Sequence, residues 1–131
     1  MADIDVTETK VLGDPAIITR YTPTTDVALT ASGGATPSAQ SAVIDIRGSH
    51  AVLFTVDHNL AGSNATDLDA VVYTSYDGTR FDTEVYASLN LGAAKVKSIP
   101  LTPGPAYLRW AVTNNDAVNA TVVRPVVTIQ R

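Results

Sequence analysis

The stretch Ala106-Tyr107-Leu108-Arg109-Trp110-Ala111-Val112-Thr113 decides the fold. Its period is two. Leu108, Trp110 and Val112 fall on one face of an extended chain, while Tyr107, Arg109, Ala111 and Thr113 fall on the other. A strand with one face in a core reads this way, and its aromatic and β-branched residues suit a pleated, half-buried surface. The parity sends Trp110 into the core rather than to an exposed, sugar-stacking position. It leaves Tyr107 and Arg109 outward as candidate subunit contacts.

Outward from that strand the same period recurs at short intervals. Residues 50–58 place Val52, Phe54 and Val56 on one face, and residues 42–46 alternate toward Ile44 and Ile46. Residues 68–76 form a further strand closed by Asp77-Gly78, a strong hairpin signal. A short strand is expected over 81–86 and another over 94–101. Thr102-Pro103-Gly104-Pro105 then blocks regular structure. Asn114-Asn115-Asp116 turns the chain into residues 120–129, where Pro125 cannot donate to a ladder and predicts an edge strand or a bulge. No window carries a sustained 3.6-residue apolar period. The expectation is all-β: an antiparallel, jelly-roll-like sandwich over residues 42–131, with Val52, Phe54, Val56, Leu108, Trp110 and Val112 in its core.

Residues 21–42, YTPTTDVALTASGGATPSAQSA, look different. Thr, Ala, Ser, Gly and Pro dominate, and such residues offer little to bury against the entropy of ordering them. Two readings follow for residues 1–41: a solvated tail, or an extended arm ordered on a neighbouring subunit. Twenty extended residues reach about 65–70 Å. In the second reading Tyr21, Pro23, Val27, Leu29 and Pro37 are the contact candidates, and Ala16-Ile17-Ile18-Thr19 is a β-like patch able to pair with a sheet. Either way, deleting residues 1–40 is expected to leave the sandwich folded.

Composition narrows the function. The chain has 131 residues, enough for one domain with a real core. It has no cysteine, which excludes disulfides and thiol chemistry. The formal charge is −4, and no basic cluster exceeds Lys95/Lys97, so direct nucleic-acid binding is not expected. No apolar run approaches the roughly 20 residues of a membrane span. The acidic start, Met1-Ala2-Asp3-Ile4-Asp5, lacks the basic opening of a signal peptide, so synthesis in a cytoplasm without secretion is expected.

Chemistry-bearing residues are sparse. His50 and His58 share a face, but eight residues of strand separate them by about 26 Å, too far for one ion. Asp57, Asp67, Asp69, Asp77, Asp82 and Asp116 fall near loops without the spacing of a calcium loop, and turns favour Asp in any case. No nucleophile elbow, phosphate-cradling loop or H-E-x-x-H helix occurs. Asn64-Ala65-Thr66 and Asn119-Ala120-Thr121 match the glycosylation sequon, which means little without a secretory signal. No catalytic residue, metal site or cofactor is expected.

Two segments carry a resemblance: Tyr73-Thr74-Ser75-Tyr76-Asp77-Gly78-Thr79-Arg80-Phe81, a strand ending in S-x-D-G-T-x-F, and Tyr107-Leu108-Arg109-Trp110-Ala111-Val112-Thr113-Asn114. With the Val-rich terminal strand they span much of residues 51–130, and this pattern resembles small β-sandwich virion proteins of tailed phages. The resemblance implies a non-enzymatic capsid decoration (cement) protein, or a tail, neck or fibre-base module. It further implies a homo-oligomer, a trimer by preference, on the major capsid protein or another virion protein at the capsid surface. The alternative of a different class is a carbohydrate-binding sandwich.

Overall fold

A computed structural model describes residues 3–12, 17–102 and 106–131. Met1 and Ala2, Ala16 of the expected β-like patch, and Pro103, Gly104 and Pro105 of the expected breaker lie outside the described residues. Twelve strands and no helix make up the described secondary structure. They are β1 (Asp3–Ile4), β2 (Val6–Leu12), β3 (Ile17–Pro23), β4 (Val27–Leu29), β5 (Ser38–Ser41), β6 (Ile44–Asp45), β7 (Ala51–His58), β8 (Leu68–Ser75), β9 (Ala87–Leu91), β10 (Lys95–Leu101), β11 (Tyr107–Asn114) and β12 (Thr121–Gln130).

Sheet 1 runs β1-β5-β11-β8-β9, with β6 extending the edge beside β11. Sheet 2 runs β10-β7-β12-β3-β2, with β4 continuing along β12. All pairings are antiparallel except β1 on β5. Without the short N-terminal pieces, the strands order as β5-β11-β8-β9 facing β3-β12-β7-β10. That is the two-Greek-key order of a jelly roll. The all-β sandwich is thus the observed architecture.

Side-chain alternation builds the core. β11 buries Leu108, Trp110, Val112 and Asn114, and β12 buries every second residue from Thr121 to Ile129. Val52, Phe54 and Val56 of β7, beside β12 in sheet 2, join the same core. Burial of such side chains contributes roughly 1.5–3 kcal/mol each. The expected core residues are all buried.

Residues 1–41 are where the structure corrects the sequence reading. Residues 21–41 do not leave the sandwich; they supply β3, β4 and β5, and both sheets need them. Tyr21, Pro23, Val27 and Leu29 are buried rather than offered to a partner, and Pro37 is half-buried. The physical reason is that a strand between two sheets needs only alternate apolar positions. Tyr21, Pro23, Val27, Leu29 and Ala39 provide them. Only the exposed loop at residues 32–36 keeps the character expected of an arm. Asp3 to Leu12 binds both sheets on this side: Asp3 and Ile4 pair with β5, and from Val6 the chain pairs with β3.

Three local expectations change as well. Pro125 sits in β12, a central strand between β7 and β3/β4. The neighbouring ladder is interrupted between Val27 and Tyr21, so Pro125 faces a gap on that side. Residues 81–86 form a loop touching the sheet through an isolated bridge from Phe81 to Ser75. The strand missed beside it is β9.

Candidate contact surface

Both outward candidates of β11 reach one surface, on the outer face of sheet 1. Tyr107 stands opposite Asp45 of β6 and Ser75 of β8, and Arg109 opposite Tyr73. The S-x-D-G-T-x-F segment folds over them. Ser75 Oγ donates to the Arg80 carbonyl (2.7 Å) and accepts from the Gly78 N–H (2.9 Å). Asp77 Oδ1 accepts from Arg80 N–H (2.8 Å) and Thr79 N–H (2.9 Å). Those two backbone donors hold the Asp77 carboxyl below its ordinary range.

Gly78 is required twice at this turn. Its φ is +81°, a region that side chains disfavour. A Cβ there would also sit 3.2 Å from the Tyr107 ring. The turn therefore closes directly onto Tyr107, and Phe81 follows it, bridged to Ser75.

Two arginines cap the aromatic rings. The Arg109 guanidinium lies 4.3 Å from the Phe81 ring centre, and that of Arg47 lies 4.6 Å from the Tyr107 ring centre. Arg47 also grips Asp45 through two bonds of 3.0 and 2.8 Å. That grip is the main reason the Asp45 carboxyl is held below its usual range. Arg131 donates to the Asp45 and Arg47 carbonyls, fixing the chain end to the same corner. Among the described residues Arg109 has only a loose ion pair, 3.9 Å to Asp3, and its buried Nε has no hydrogen-bond acceptor. Tyr76, at the turn, is 75% exposed.

Of the seven contact candidates, the structure brings only Tyr107 and Arg109 together on a surface. Arg47 and Phe81 complete it and were not singled out as contacts. Phe81 was legible as the last letter of S-x-D-G-T-x-F. Arg47 carried no local signal, because its partner ring lies sixty residues further along the chain.

The other polar clusters are committed to internal bonds. His58 is fully buried, bonded through Nδ1 to the Gly92 carbonyl (2.8 Å) and through Nε2 to Thr121 Oγ1 (2.6 Å). A carbonyl only accepts, so Nδ1 donates to it. His50 is exposed. Asp116, also buried, accepts from the Asn119 side chain and from the N–H groups of Thr66, Val118 and Asn119. These bonds, led by that from Asn119, hold its carboxyl far below the ordinary range. Both sequon threonines, Thr66 and Thr121, are thereby engaged within the fold.

The fold and surface define a jelly-roll β-sandwich with a preordered arginine–aromatic outer face. The chain is similar to several solved structures. One is the PBSX exported protein XepA, with a TM-score of 0.59 and 14% identity. The match covers 80% of this chain and 34% of XepA, so the chain spans about a third of that protein. A structure from the disulfide-linked pili of Bacillus endospore appendages matches at 0.49 and 11% identity, covering 95% of this chain and 96% of that one. The K3 cleaved adhesin domain of Lys-gingipain from Porphyromonas gingivalis matches at 0.45 and 15% identity, covering 89% and 76%. No protein-family model and no curated protein sequence matches the chain. No described helix is long and apolar enough to cross a membrane.

Proposed function

We propose that the chain is a non-enzymatic structural protein of a phage particle that decorates and stabilises the capsid. The observation that carries the reading is the Arg47–Tyr107 and Arg109–Phe81 surface. Tyrosine and arginine are enriched at the centres of protein interfaces, where rigid side chains lose little entropy on being covered. This surface is held in place by the 75–81 turn before any partner arrives. The buried histidine and the buried aspartate are spent on internal bonds, which supports binding rather than catalysis. The resemblance of the two β segments to tailed-phage virion proteins agrees with the reading. Attachment then runs through the sandwich surface and not through an arm, with a homotrimer as the preferred assembly.

The test is a pull-down on undecorated capsids with the double variant Arg109→Ala/Tyr107→Ala. Binding should fall about tenfold or more while a cooperative melt is retained. Equal binding by variant and parent overturns the reading. Binding to tails or necks instead moves the protein to another place on the particle. Tyr76, exposed at the turn, favours a second reading, a carbohydrate-binding sandwich. Glycan-array binding that disappears in Tyr76→Ala would replace the first.

A further inference from the structure

The sandwich has three long outer strands, and their edges differ. In β2, Glu8 and Lys10 stand opposite Tyr21 and Thr19, both buried, so these charges sit on the core-facing side of an edge. In β10, Lys95 and Lys97 stand opposite buried His58 and Val56 in the same way, and Pro100 follows. Charges on the core side and proline are devices that stop another strand from adding to an edge. β9 has neither. Its residues are Ala87, Ser88, Leu89, Asn90 and Leu91, with Leu89 and Leu91 buried. On its far side no described strand pairs with it.

β9 and β10 are joined by residues 92–94 and lie on the same open side of the sandwich, one in each sheet. A strand added to β9 would therefore turn its core-facing side chains toward Lys95 and Lys97. Sheets pack about 10 Å apart, a gap that a lysine and a carboxylate side chain span together. Neither lysine has a carboxylate within ion-pair distance among the described residues. The nearby acids face elsewhere: Asp57 stands opposite Val96 on the outer face, and Asp67 and Asp69 are bonded by Asn90.

We propose that the free edge of β9 accepts an extended acidic segment of a partner protein as an added strand of sheet 1, its core-side carboxylates pairing with Lys95 and Lys97. Backbone ladder bonds supply the docking and the lysines supply the preference. A second copy of β9 is a poor occupant, since a two-fold pairing brings the lysines of both copies to the same side. The proposal does not depend on the phage assignment.

The experiment titrates the full chain with two eight-residue peptides, one alternating glutamate with valine, the other alternating lysine with valine. Amide NMR shifts locate the site. The glutamate peptide should bind with shifts centred on β9 and weaken as salt rises to about 0.5 M. The lysine peptide should bind about tenfold more weakly. The double variant Lys95→Glu/Lys97→Glu, at exposed positions, should reverse the order while circular dichroism shows the fold retained. Equal binding of both peptides, binding of neither, shifts centred away from β9, or concentration-dependent dimerisation through β9 each overturns the proposal.

Discussion

Residues 21–41 and β11 line the same core in opposite chemical styles. β11 presents Leu108, Trp110 and Val112, large apolar side chains at every second position. The N-terminal segment presents Tyr21, Pro23, Val27 and Leu29, then Ala39 and Ser41, separated by threonines, glycines and alanines. Both alternate, yet only one looks like a strand. Composition measures how much a segment has to bury, whereas position in a sandwich decides how little it needs. A strand flanked by β12 on one side and β2 on the other takes its order from ladder bonds and neighbouring side chains. A few buried groups then suffice.

The strongest way to break this comparison is truncation. Deleting residues 1–40 removes β1 to β4 and most of β5, and it uncovers one edge of β12 and the edge of β11 from Ala111 to Thr113. We expect no cooperative melt. A truncated chain that melts cooperatively near the parent temperature would restore the arm reading.

Single substitutions sharpen it. Trp110→Ala should cost about 3–5 kcal/mol, and Leu29→Ala about 2–5 kcal/mol, because both leave cavities in one packed core. Chemical denaturation measures both. A Leu29→Ala variant indistinguishable from the parent would separate the two regions again. Tryptophan emission should be blue-shifted by the full burial of Trp110.

Smaller effects come from the loops. Gly78→Ala should destabilise by about 1 kcal/mol, since it strains a positive φ and presses on the Tyr107 ring. A neutral result would mean that the 75–81 turn yields easily and is no support for the surface. Asp116 predicts a pH dependence. Its folded-state carboxyl ionises far below the ordinary range, whereas in the unfolded chain it ionises near about 4. The stabilisation is therefore complete above that ordinary value and is lost as pH falls below it. Thermal midpoints followed from pH 5 down to about 2 should show a slope that Asp116→Asn lacks. Parallel slopes would remove Asp116 from the account.

The local pattern of Leu108, Trp110 and Val112, of Val52, Phe54 and Val56, and the Asp77-Gly78 turn were determined by the sequence alone. Period-two alternation and turn chemistry are properties of neighbouring residues, so no partner strand is needed to read them. The same holds for the parity that sent Tyr107 and Arg109 outward. What only the tertiary structure decided is whatever depends on residues far apart in the chain. Arg47 became part of the surface because β6 pairs with β11, and His58 found Thr121 across sixty-three residues. Pro125 was accommodated in a central strand because a gap between β3 and β4 lies beside it. The membership of residues 21–41 belongs here too. Ladder bonds and long-range burial, rather than side-chain size, hold that segment, and both come into being only when the two sheets close on each other.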